Sequence, residues 1–204
     1  MLKKYKDKLL ALLKPVQARP NLDFGCHNVV VEDKNYLMCR AIIPDIAEML
    51  EIESAVYAGD QPWSYEDFEK HIQNKLTSLY IVVRYEDRMV AFAGCDFTYG
   101  PSEAHVTNIA VLPEYQHQGL GLMMLETLQT EAKKYGCRHL SLDVRRSNLE
   151  AQALYRRAGF KEVAVKNAYY KDEDGLEYSY NLVNRNLKKR VEKGWKKSEF
   201  DFGF

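Results

Sequence analysis

The spacing of apolar positions changes character along residues 106–135. Val106-Thr107-Asn108-Ile109-Ala110-Val111-Leu112 reads as a β-strand that ends at Pro113. From there Leu120, Met124 and Leu128 recur at helical spacing, with Leu125 and Ala132 widening the stripe. That helix stops at Gly136, just after Lys133 and Lys134. Between the two, Gln116-His117-Gln118-Gly119-Leu120-Gly121 carries no β-branched side chain, and Gly119 and Gly121 let main-chain N–H groups approach a ligand. The helix N-terminus adds unpaired donors and the positive end of a dipole. Together these make a seat for a pyrophosphate. A Gly-x-Gly alone also serves as a plain turn. Two other phosphate patterns are excluded: no Gly-Lys-Ser/Thr completes a Walker loop, and a Rossmann turn would need a third glycine and a downstream acid.

Periodicity orders the rest of the chain. Residues 2–14 read as a one-faced helix ended by Pro15 and Pro20. Residues 29–32 and 36–41 pair as strands across Asp33-Lys34-Asn35. A helix over 44–57 places Ile46, Met49, Leu50, Glu53 and Val56 along its length, and Ser64 caps a second over 65–76. Strands at 79–85 and 89–97 flank Glu86-Asp87-Arg88. Beyond the central helix come a strand at 140–145, a helix opening at 147–155 and the closing Ala158-Gly159-Phe160. The expected fold class is mixed α+β: strand, two helices, three strands, helix, strand, helix, two strands. Residues 1–35 form an arm and linker, 36–183 the domain, and 184–204 a tail rich in Lys, Arg, Trp and Phe. The tail reads as a solvated helix docking its aromatics on the domain or on a second copy, the alternative being a surface for RNA or an acidic protein.

Composition narrows the function classes. In 204 residues, 46% hydrophobic content suffices for a real core, and 29 basic against 29 acidic residues leave no net charge to argue for nucleic acid. No apolar run is long enough to span a bilayer and no signal-peptide pattern opens the chain, so a cytosolic location is expected. Cys26, Cys39, Cys95 and Cys137 are scattered without a Cys-x-x-Cys or Cys/His cluster. They are expected to be reduced and mostly buried, with no metal site and no disulfide framework.

Both halves together resemble the GNAT acyltransferase family and, within it, the ribosomal-protein-alanine N-acetyltransferases. The resemblance covers about residues 40–182. It is carried by Pro62-Trp63-Ser64, Asn108-Ile109-Ala110-Val111, Tyr115-Gln116, Gly119-Leu120-Gly121, Leu125-Glu126, Val144-Arg145, Ser147-Asn148, Ala153-Leu154-Tyr155, Gly159-Phe160 and Tyr169-Tyr170. It implies a twisted, mostly antiparallel sheet with a splayed parallel strand pair flanked by helices, and acetyl-CoA as co-substrate without a metal. In the family the turn here spanning Gln116, His117, Gln118, Gly119, Leu120, Gly121 and Leu122 grips the pyrophosphate. Backbone groups of Ile109, Ala110 and Val111 hold the pantetheine arm, and Asn148 reaches the cofactor.

Acetyl transfer to an amine needs a proton acceptor, an oxyanion partner and a proton donor for the thiolate. Tyr155, on the family's Ala-Leu-Tyr, is the expected donor. The base is expected at Asp143, where relatives carry Glu, a side chain longer by about 1.5 Å. Glu103, at the start of the strand leading to Asn108, is expected to face the same cleft and to share that task. Without such roles Tyr155 would be a core residue, Asp143 an ion-pair partner of Arg145 or Arg146, and Glu103 a solvated strand end. His117 lies inside the phosphate turn, whereas His27, His71, His105 and His139 read as surface or strand residues.

The resemblance implies that Trp63 and Tyr169-Tyr170 wall a groove for a peptide N-terminus. Ala168 and Tyr178 depart from the family pattern there. The acceptor is therefore a protein N-terminal amine or, alternatively, a small amine such as a polyamine, amino acid or antibiotic. A non-catalytic acyl-CoA-binding module is the alternative of another class. No membrane or nucleic-acid partner is expected, and the terminal arms could form a homodimer.

Overall fold

A computed structural model describes residues 22–57, 62–100 and 102–183. The helix read at 2–14, the tail from 184 and any dimer contact through them lie outside the described residues.

The strands are β1 (His27–Val31), β2 (Lys34–Arg40), β3 (Ser78–Tyr85), β4 (Arg88–Gly100), β5 (Glu103–Val111), β6 (His139–Arg145), β7 (Lys161–Lys166) and β8 (Gly175–Asn181). They form one sheet in the order β1-β2-β3-β4-β5-β6-β8-β7, antiparallel throughout except for β5 beside β6. The helices are α1 (Ile46–Val56), α2 (Tyr65–Gln73), α3 (Leu120–Tyr135) and α4 (Leu149–Arg157). The mixed α+β class expected from the sequence is observed, and the order agrees from the first α-helix on, with two strands, β1 and β2, before it. Among the described residues no helix is long and apolar enough to cross a membrane.

The core lies on both faces of β3 and β4. Every residue from Met89 to Cys95 is buried, so the strand is covered on each side. Phe68 of α2 packs edge-on against Tyr80 and Phe92. The second helix begins as the sequence indicates: the Ser64 hydroxyl accepts from Asp67 N–H, the Asp67 carboxylate accepts from Ser64 N–H, and Trp63 stacks over Phe68 as a hydrophobic staple. It ends at Gln73 rather than Leu76, because Asn74 leaves the helix and its carbonyl accepts from Thr77 and Ser78 in a turn feeding β3.

Two features position the site. Gly94 pairs with Asn108 and Cys95 with Val106, so Thr107 is an extra residue that bulges β5. Tyr80 locks the bulge, donating to Asn108 Oδ1 at 2.6 Å and accepting from the Thr107 hydroxyl at 2.8 Å. A Cβ at position 94 would lie 2.2 Å from the Tyr80 ring, so only glycine admits that ring. Pairing of β5 with β6 runs from Glu103 to Val106 and stops at the bulge, while β6 continues against β8. The expected splay is therefore present, and it begins at Thr107.

The expectation of four reduced cysteines is corrected. Cys95 and Cys137 are free and buried, but Cys26 and Cys39 form a disulfide. The β1–β2 turn has two residues, Glu32 and Asp33, both left-handed, and the register pairs His27 with Met38. The next residues outward, Cys26 and Cys39, then face one another.

Candidate active site

Beyond Val111 the chain makes a short turn at Pro113–Tyr115 and enters the glycine segment. Gln116 Nε2 donates to the Val111 carbonyl at 3.0 Å, folding the segment back on the end of β5. Gln118 Nε2 donates to the Glu114 carbonyl and its Oε1 accepts from Lys34. His117 is left-handed (φ 58°), as is Gly119 (φ 88°), the residue that opens α3. Ser64 and Asn148 cap their helices through side-chain oxygens, but no side chain caps α3. Among the described residues the first N–H groups of α3, from Leu120 through Leu122, thus have no side-chain cap, and the leucine side chains themselves are buried. Gly121 has a packing reason as well: a Cβ there would stand 3.0 Å from Leu154, so its absence lets α3 and α4 approach. An uncapped helix start behind a left-handed glycine fits a diphosphate.

The splay continues from this seat. Among the described residues Ile109, Ala110 and Val111 pair only with β4, and no strand pairs with the other edge of β5 there. An extended amide-bearing arm fits such an edge. Asn148 Oδ1 accepts from Ala151 N–H, which realises its capping role.

Tyr155 projects from α4 into the sheet's end and contacts the rings of Phe160 and Tyr178. Burial pushes its phenol well above the ordinary value, with smaller contributions from Tyr57 and Tyr170. Tyr170 is in turn pushed up to about 12 by burial and then by Asp143, and the Arg145 guanidinium lies over its ring at 4.5 Å. Tyr170 thus stands within electrostatic reach of both Tyr155 and Asp143.

Asp143 is paired with neither Arg145 nor Arg146. Arg145 binds Asp172 and Glu173, and Arg146 binds Asp174. Instead Lys166 Nζ donates to both Asp143 oxygens, at 2.7 and 2.9 Å, and reaches Glu177 at 3.3 Å. The cause is register: Asp143 and Glu177 sit directly opposite on β6 and β8, and two facing carboxylates need a cation. Glu103 occupies the same face but the other end. It is level with His139, four positions or about 13 Å from Asp143 along the strand, so the structure does not bring it to the same part of the cleft.

Three groups at this cleft were given no functional role by the sequence reading. His105 lies beside Asp143, its Nε2 3.9 Å from Oδ2, stacked on Tyr99. Lys166 is the second. Glu53 of α1 is the third: nearly fully buried, it accepts from Trp63 N–H and Asn108 Nδ2, and burial raises its pKa. Its position on an otherwise apolar helical stripe was the available clue. Among the described residues no cluster of three His, Cys, Asp or Glu could hold a metal ion.

Comparison with known proteins agrees with this geometry. The sequence matches the Acetyltransferase (GNAT) family over residues 46–160. The ribosomal protein bS18-alanine N-acetyltransferase of Escherichia coli (strain K12) is 38% identical over 138 residues, covering 65% of this chain and 86% of that protein. The enzyme of the same name from Haemophilus ducreyi is 33% identical over 133 residues, covering 64% and 86%. The crystal structure of the ribosomal-protein-S18-alanine N-acetyltransferase from Escherichia coli superimposes with a TM-score of 0.64 at 32% identity, over 74% of this chain and 97% of that one. Ard1 from Thermoplasma volcanium shares the fold, with a TM-score of 0.65 at 18% identity over 72% and 97%. The chain belongs to the GNAT acetyltransferase family and is an N-acetyltransferase.

Proposed function

We propose that the chain transfers an acetyl group from acetyl-CoA to the α-amine of a protein N-terminus by direct attack in a ternary complex. The observation that carries this reading is the presence together of three features: the start of α3 without a side-chain cap, the edge of β5 left by β6 beyond Thr107, and the tyrosine cluster around Tyr155. Relatives named for acetylating the alanine terminus of a ribosomal protein support the choice of acceptor.

Bound acetyl-CoA supplies the acetyl group as a thioester. The N–H groups of residues 119–122 and the backbone of Gln116, His117 and Gln118 hold its diphosphate, and Ile109, Ala110 and Val111 hold its arm. A β5 N–H polarises the thioester carbonyl. Tyr155, kept protonated by burial, donates its proton to the departing thiolate, and the proton shed by the acylated nitrogen restores the phenol. Asp143 supplies negative charge on the acceptor side. Trp63, Tyr169 and Tyr170 wall the acceptor groove; Tyr169 is half exposed there.

Thiol release from acetyl-CoA separates the acceptors. Turnover on a hexapeptide beginning with alanine supports the proposal. Turnover confined to spermidine, free amino acids or an aminoglycoside replaces it with a small-amine enzyme. CoA binding without turnover on any amine replaces it with a binding module.

A further inference from the structure

His105 belongs to no motif, and the structure surrounds it with the apparatus of a base. The imidazole is on β5, two residues before the bulge that opens the splay, on the face it shares with Ser141 and Asp143 of β6. Its side chain is only 12% exposed and stacks on the Tyr99 ring with centroids 4.2 Å apart. Ser141 Oγ lies 3.4 Å from the Ala104 carbonyl and 3.0 Å from Nδ1; with the hydroxyl proton on that carbonyl, Nδ1 donates to Oγ and carries the ring proton. Nε2 then keeps a lone pair, and it faces Asp143 Oδ2 across 3.9 Å. Asp143 itself is occupied, both oxygens accepting from Lys166. A cation on the adjacent imidazole would be steadied by this carboxylate.

We infer that His105, rather than Asp143, takes the proton from the acceptor ammonium at Nε2, and that Asp143 holds the resulting imidazolium. The inference rests on the acetyltransferase reading above. The ammonium gives one proton to Nε2, and the freed nitrogen lone pair forms the C–N bond as the C–S bond breaks. The electron pair leaves on sulfur, which takes the Tyr155 proton. The second proton on nitrogen restores Tyr155, and the imidazolium returns its proton to solvent. The groups facing the ring are Asp143, Glu177 and Glu103, which favour its cation, and Lys166, which opposes it. Burial outweighs them and holds the imidazole below 6.5, so it is neutral and able to accept a proton at pH 7.

The test compares wild type, His105→Gln and Asp143→Asn in kcat/KM for the alanine-terminal hexapeptide, spermidine and an aminoglycoside, as a function of pH at saturating acetyl-CoA. A working base must be unprotonated, so wild type should lose rate as pH falls below 6.5. His105→Gln should fall by about 100-fold or more and lose that acid limb, while binding CoA as wild type does by calorimetry. In Asp143→Asn the limb should move to lower pH, because the imidazolium loses its carboxylate. A His105→Gln enzyme within about threefold of wild type that keeps the same limb overturns the inference and leaves the acetyltransferase reading intact. Wild type that turns over none of the three amines overturns both. Nitrogen-15 NMR of the wild-type histidines needs no variant: a protonated Nδ1 with a free Nε2 supports the assignment, and the opposite tautomer overturns it.

Discussion

Helix α3 is bracketed by two glycines in almost the same backbone state, Gly119 at φ 88° and Gly136 at φ 93°. An L-residue in the left-handed region costs about 1–2 kcal/mol, partly offset by the smaller conformational freedom that alanine has in the unfolded chain. Gly136→Ala meets nothing within 4 Å, so strain alone acts and about 1 kcal/mol should be lost. Gly119→Ala carries the same strain and adds a methyl 3.1 Å from Val31 Cγ1, at the tip of the β1–β2 hairpin, so its loss should be equal or up to about 2 kcal/mol. For a chain of this size about 1 kcal/mol corresponds to about 2–4 °C in Tm. The two variants should then diverge in function. Relaxing Gly119 toward negative φ turns its amide and the start of α3 away from the ligand, raising KM for acetyl-CoA about tenfold, a loss of about 1.4 kcal/mol. Gly136 closes the far end of the helix, and its variant should keep the wild-type KM. Urea unfolding and steady-state kinetics on both proteins decide it. Equal KM values at comparable loss of stability would refute the α3 start as the phosphate seat, and no loss in either would refute the backbone argument.

Three further outcomes follow from the same geometry. Tyr155→Phe should keep its fold and lose about 100-fold or more in kcat. Because burial raises the phenol, wild-type activity should show no basic limb from this residue below pH 10; a Phe variant with wild-type kcat would remove Tyr155 from the chemistry. Cys26→Ser should cost about 3 kcal/mol for a disulfide spanning a sequence separation of 13, and a reductant should lower the Tm of wild type but not of the variant. Glu53 has a raised folded pKa, so its contribution to stability is present below the unfolded value and is lost as pH rises through the folded one. Glu53→Gln should therefore gain on wild type in urea unfolding as pH rises from acid to neutral, and a constant difference would contradict this.

What could be read from the sequence depended on how local the cause was. The strand, glycine turn and helix from 106 to 135 were legible because each boundary has its own residue: Pro113 ends the strand, Gly119 turns, and Gly136 closes. Ser64 and Asp67 declared the start of α2 in the same way. The disulfide was hidden by the placement of one turn. A three-residue turn at 33–35 gives a register that leaves Cys26 and Cys39 unpaired, whereas the observed two-residue turn at Glu32-Asp33 pairs them. Nothing in Glu32-Asp33 advertises two left-handed residues, for which Asn-Gly is the usual choice, yet Glu86-Asp87 makes the same turn between β3 and β4.

The acid–base side of the cleft was hidden for a deeper reason, since it is made of pairings between distant segments. Polar residues at 103 and 105 alternate with buried Ala104 and Val106, which marks one face of β5 as polar. Only the parallel register with β6 reveals that this face continues through Ser141 to Asp143, and only the β6–β8 register puts Glu177 opposite. Two facing carboxylates then account for Lys166. With Lys166 in place, the shortened acid at 143 ceases to look like a weakened base. Aspartate's shorter arm keeps the carboxylate within the sheet's own ion pair and beside the imidazole, where a longer glutamate would carry it about 1.5 Å farther out. On the proposed mechanism the aspartate at 143 and His105 act as one unit, with the proton accepted on β5 and the β6 carboxylate as its electrostatic support.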